Sequence, residues 1–113
     1  MLFLTMCRYK GIPAHFQSGF MTHPHENNMH DWGEIYFEGV GWVPVDQSFG
    51  GDYYFGGIDS WRMVVNNDYG KALDPAKKFT RSETVDFQRG EVEWRGGNLY
   101  FPAWNWDIEI EYL

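Results

Sequence analysis

Apolar and polar positions alternate along much of this chain, with the two-residue period of a half-buried strand. The alternation is clearest over residues 104–113, where Trp104, Trp106, Ile108, Ile110 and Tyr112 share one face and Asp107, Glu109 and Glu111 the other. Residues 14–21, 29–37, 42–48 and 62–66 read as further strands, and 91–94 and 98–101 as two short ones. Glu38-Gly39-Val40-Gly41 joins the second and third strands as a hairpin. Residues 22–28 (THPHENN) read as a polar loop, 49–59 as a Gly- and Tyr-rich loop, and 68–89 as polar and irregular. The first ten residues differ: an apolar run ends in Arg8-Tyr9-Lys10, then Gly11, then Pro13, which is a helix stop signal. No N-cap residue precedes that run, so the expectation is a helix whose beginning lies upstream. The predicted fold class is α+β, mostly β: an antiparallel sheet after a short N-terminal helix. It is read as one unit over 1–113, with helix at 1–10, core strands at 14–66 and further strands and loops at 67–113.

Composition narrows this picture. A chain of 113 residues allows one modest core. The aromatic fraction of 19% supplies large rings for that core and leaves others for a surface. Sixteen acids against nine bases give a net charge of −7, which disfavours binding to nucleic acid or to an anionic membrane. The single cysteine, Cys7, excludes an internal disulfide. The apolar opening is too short to span a membrane and lacks the flanks of a signal peptide.

The candidate chemistry lies in three segments: Cys7-Arg8-Tyr9-Lys10-Gly11-Ile12-Pro13-Ala14-His15, then His30-Asp31-Trp32-Gly33-Glu34, then Gly41-Trp42-Val43-Pro44-Val45-Asp46. In order and spacing they resemble the helix end and "GIPAR" turn, the H-x-W-x-E strand and the G-W-x-x-x-D strand of the transglutaminase-like family. His15 stands where the family usually has Arg. Residues 62–65 are similar to a strand that follows in bacterial members. The resemblance implies a papain-like core in which a cysteine thiolate attacks an amide, a strand histidine serves as base and an aspartate orients it. It assigns the base to His30 and the orienting acid to Asp46. Trp32 and Trp42 are candidates for the cleft wall, though rings of this size more often fill a core. Glu34 reads as structural. The Tyr53-Tyr54-Phe55 run suits a substrate groove or a packed loop equally.

Cys7 does not fit the nucleophile's place. It falls about eleven residues further along the helix than the family's cysteine, or ~16 Å along the axis. It is expected to be a small buried core residue, and the nucleophile is expected a few residues ahead of Met1. On that reading the chain is part of a longer cysteine amidase and inactive alone, with hydrolysis favoured over amine transfer in the parent. A non-catalytic protein- or glycan-binding module on the same fold is the alternative. The loop histidines His23 and His25, with Glu26, His30 and Asp31, lack regular ligand spacing, so no metal site is expected. No cofactor is expected either. The expected partners are a peptide or protein substrate and, through apolar surface left by a missing helix start, a second copy of the chain.

Overall fold

The computed structural model describes residues 2–49, 53–68, 71–80, 91–105 and 107–113. It opens with helix α1 (Leu2–Tyr9), whose buried residues Leu4 and Cys7 are three apart and therefore share a face. The helix ends as its sequence requires. Gly11 takes a positive φ of 80°, and the Ile12 amide donates back to the Cys7 carbonyl at 2.9 Å.

Four strands follow in one antiparallel sheet: β1 (Ala14–His23), β2 (Glu26–Phe37), β3 (Gly41–Val45) and β4 (Arg62–Asn67), in the order β3-β2-β1-β4. β1 and β2 pair without interruption from Ala14 opposite Ile35 to His23 opposite Glu26. The polar segment at 22–28 is therefore not a loop. It forms the ends of two strands around a tight turn at Pro24-His25. Those polar side chains are largely exposed, and backbone pairing places no demand on an exposed side chain. The third strand is shorter than its sequence suggests. It stops at Val45, and Gln47–Phe49 form a 3-10 turn.

Alternation along the sheet sorts residues to two faces. Leu4 and Cys7 of α1 pack with Ala14, Phe16, Ile35 and Val45, with Val43 alongside. Gly33 lies under the helix, where a Cβ would meet both Leu4 methyls at 2.7 Å. The opposite face carries His15, Gln17, His30, Trp32, Glu34 and Arg62. A second close approach fixes the other edge. A Cβ on Gly19 would lie 1.8 Å from the Met63 carbonyl oxygen, beside a register shift between Ser18 and Gly19. Only glycine lets β4 come this near β1.

The C-terminal region departs from expectation. Val92–Trp94 (β5) and Gly97–Leu99 (β6) form a separate two-stranded ribbon, as two short strands should. Residues 104–113 make no ladder among those described, and Trp106 lies outside them. Their alternation survives as uneven burial, with Ile108 and Ile110 half-buried and Glu109 and Glu111 exposed. Alternation prepares an extended segment, but a strand also needs a free edge in register. Residues 71–80 are irregular as read, and 69–70 and 81–90 fall outside the described residues.

Candidate functional site

His30 and Trp32 leave β2 on the face away from α1. Val45 pairs with Gly33, so Asp46 falls level with Trp32 and diagonal to His30. The imidazole and carboxylate are long enough to close that diagonal. His30 Nε2 donates to Asp46 Oδ2 at 2.6 Å. The spacing of the glycines suggests that a bulge or skewed register must bring the two residues together. The structure shows otherwise: β2 and β3 pair regularly down to Phe37 opposite Gly41, about a turn in which Gly39 has φ 80°. A diagonal contact needs no bulge.

Leaving the ladder at Asp46 frees its carboxylate to be surrounded. Its backbone N–H donates to the Tyr54 carbonyl at 2.8 Å. Oδ1 accepts from the Ser48 amide at 3.0 Å and from the Ser48 hydroxyl at 2.7 Å. Oδ2 accepts from His30 and also from Arg62 Nη1, both at 2.6 Å. The Asp46 side chain is 1% exposed and that of His30 17%. Burial pushes the carboxyl pKa up. The hydrogen bonds from Ser48 and His30, with the charge of the imidazolium, outweigh it and hold Asp46 below the ordinary aspartate value. With the Nε2 proton committed to Asp46, a neutral His30 carries its lone pair on Nδ1.

Arg62 is the residue that sequence reading missed. It reads there as the start of a strand, and its contact with Asp46 spans a loop that no local pattern can bridge. Its side chain is 0% exposed. Its Nε reaches Asp59 at 3.3 Å, and its guanidinium lies 5.1–5.5 Å from the ring centres of Tyr54, Phe49 and Trp32. The His30 ring meets Phe49 edge-on at 4.8 Å.

The two candidate tryptophans separate. Trp32 is buried beside His30, and its indole N–H donates to Gln17 Oε1 at 2.8 Å. Gln17 is itself tied to Asn67 at 2.9 Å. Trp42 is 48% exposed, so it is not a core residue. It lies four residues before Asp46, or ~13 Å along a strand, and packs on His15 at 4.3 Å and Tyr36 at 5.5 Å. His15 in turn pairs with Glu34 at 2.6 Å. The Tyr53-Tyr54-Phe55 run also divides. Tyr53 is exposed, Tyr54 covers Arg62, and Phe55 meets Phe37.

Cys7 lies on the other face of the sheet from His30, within the apolar cluster under α1. Burial pushes its thiol pKa up, which disfavours the thiolate. The His23 ring meets those of His25 and Trp61. Among the described residues no group of three or more His, Cys, Asp or Glu comes together to hold a metal ion. Nor is any described helix long and apolar enough to cross a membrane.

Residues 1–47 match the family model of the transglutaminase-like superfamily. This stretch is transglutaminase-like. The match spans α1, β1, β2 and β3 and ends just past Asp46, so it takes in both members of the His30–Asp46 pair and leaves Arg62 outside. No curated protein and no solved structure matches the chain. The transglutaminase-like segment thus coincides with the strands that carry the pair.

Proposed function

We propose that His30 and Asp46 are the base and orienting acid of a transglutaminase-like cysteine amidase acting on peptide or side-chain amides. The observation that carries this reading is the 2.6 Å His30–Asp46 contact, made by residues of two family strands around a buried carboxylate. In this chemistry a thiol loses its proton to His30 Nδ1, and the thiolate attacks the amide carbonyl. The carbon–sulfur bond forms, the carbon–nitrogen bond breaks, and the imidazolium returns its proton to the leaving amine. Water or a second amine then resolves the acyl-thioester. Asp46 keeps the ring in the tautomer that accepts at Nδ1 and stabilises the imidazolium. Cys7 faces the other side of the sheet from His30, so this reading does not take it as the nucleophile.

The test is an acyl-transfer assay with a glutamine-amide substrate and a thiol-directed acyl probe. It is run on residues 1–113 and on the same chain with any sequence encoded upstream. Labelling of the longer form alone, abolished by His30→Ala, is the expected result. Labelling at Cys7, or labelling indifferent to His30→Ala, overturns the proposal.

One observation favours a second reading, a non-catalytic protein- or glycan-binding module. Tyr36, Phe37, Trp42 and Phe55 stay exposed around the β2–β3 hairpin. If the upstream sequence holds no cysteine, this reading replaces the first. Self-association is proposed under either, through the exposed Leu2 and Met6 of α1. A monomer by sedimentation over a wide concentration range argues against it.

A further inference from the structure

A permanent cation buried beside a catalytic carboxylate calls for a reason. Replacing a buried ion pair by apolar residues is often neutral or stabilising, so stability alone does not account for one. Arg62 is an extreme case. Its side chain is fully buried, it bridges Asp46 and Asp59, and three aromatic rings enclose its guanidinium. Its third nitrogen, Nη2, is buried with no hydrogen-bond partner among the described residues. A side chain selected only to fill this space would not leave a donor unsatisfied. What its geometry does achieve is specific: Nη1 takes the same oxygen, Asp46 Oδ2, that holds His30.

We propose that Arg62 is a positioning residue for the His30–Asp46 pair, fixing the carboxylate and holding down the proton affinity of His30. The catalytic meaning of this rests on the reading above; the electrostatics do not. Asp46 alone would draw a proton strongly onto His30, because a buried carboxylate favours the imidazolium. A base that stays protonated cannot accept the thiol's proton. Arg62 cancels much of that pull by neutralising Oδ2, while the Arg62–Oδ2 and Ser48–Oδ1 bonds keep the carboxylate from rotating. Arginine suits this task because its charge is permanent and its fork is rigid, so one side chain can hold two carboxylates. Among the described residues, the charged groups tied to His30 are Asp46, just past β3, and, through Asp46, Arg62 on β4, which also holds Asp59. On β1 the same face carries Gln17, Gly19 and Met21 nearest His30, all uncharged, with the titratable His15 and His23 toward its two ends, opposite Glu34 and Glu26 of β2.

The experiment is an NMR titration of ring-labelled histidine in the 113-residue chain, followed at His30. It needs no turnover, so it stands apart from the amidase assay. In folded Arg62→Met the His30 midpoint should rise by about one pH unit, since a neighbouring cation that disfavoured the imidazolium is gone. Arg62→Lys, which keeps the charge, should bring the midpoint back to within a few tenths of the unmutated value. In the unmutated chain the Arg62 guanidinium resonances should move with the same midpoint as the His30 ring, and this holds as a test even if Arg62→Met does not fold. An unchanged midpoint in folded Arg62→Met overturns the proposal. So does an Arg62→Lys midpoint displaced as far as that of the methionine variant, or an Arg62 signal that ignores the titration of His30.

Discussion

One face of this sheet carries two histidine–carboxylate pairs of the same length, and they are not equivalent. His30–Asp46 and His15–Glu34 both close at 2.6 Å. Asp46 is buried, tied by Ser48 on one oxygen and by Arg62 on the other. The His15–Glu34 side chains are each about a quarter exposed, at 28% and 24%, with the His15 ring against Trp42. Distance alone would rank the two equally. Burial and third partners set them apart, because a charge removed from water depends on its neighbours and an exposed one on solvent. The first pair can hold one tautomer in place; the second is an ordinary surface contact.

Substitution of the two carboxylates tests this most severely. Asp46→Asn leaves Arg62 buried with one carboxylate fewer, and should cost ~3–5 kcal/mol in urea unfolding. Glu34→Gln should cost less than ~1 kcal/mol. Equal losses would remove the distinction. Gly19→Ala comes next. Its methyl group must displace the Met63 carbonyl, so β4 should separate from β1 at a cost on the order of 3 kcal/mol. Amide exchange should rise in β4 and around Arg62 while the His15–Glu34 end stays protected.

The third expectation concerns acid. The pKa of Asp46 is depressed in the folded chain. Its stabilising contribution is therefore complete above the unfolded aspartate value of ~3.9, and is lost as pH falls through the lower folded value. Urea midpoints measured from pH 6 down to pH 2 should fall at the acid end. In Asp46→Asn that part of the decline should be missing. The smallest effect is expected at Cys7. Iodoacetamide should alkylate it slowly at pH 7.5, and His30→Ala should leave the rate unchanged, because thiol and imidazole lie on opposite faces. A His30-dependent rate would place them together and reopen Cys7 as a nucleophile.

How much of this could be read from the chain follows from the range of each interaction. Helix α1 and its end were legible because Arg8, Gly11 and Pro13 act within one turn. The β2–β3 hairpin was legible because Gly39 and Gly41 mark it locally. At 22–28 polar composition points to a loop, whereas residues 22, 23 and 26–28 pair as strand. Residues 104–113 differ in the opposite sense: alternation points to a strand but does not supply a partner for it. His30 and Asp46 were found through motif spacing, but their diagonal geometry was not, because a register cannot be counted from glycines alone. Trp32 and Trp42 look alike in sequence and differ in burial because one lies mid-sheet and the other beside the hairpin end.

The sequence by itself determined the class of fold, the helix stop, the strand–turn–strand bearing the motifs, and the two residues proposed for the chemistry. The first three depend on neighbours within a few positions or on the two-residue period of a strand; the two residues rest on the resemblance of their motifs to the transglutaminase-like family. The tertiary structure alone decided that Cys7 and His30 lie on opposite faces, that Arg62 shares Asp46 with His30, and that the carboxylate of one histidine–carboxylate pair is buried while that of the other is a quarter exposed. Those outcomes depend on which strand lies beside which and on what covers each face. Contacts between residues as distant in sequence as 46 and 62 have no local signature.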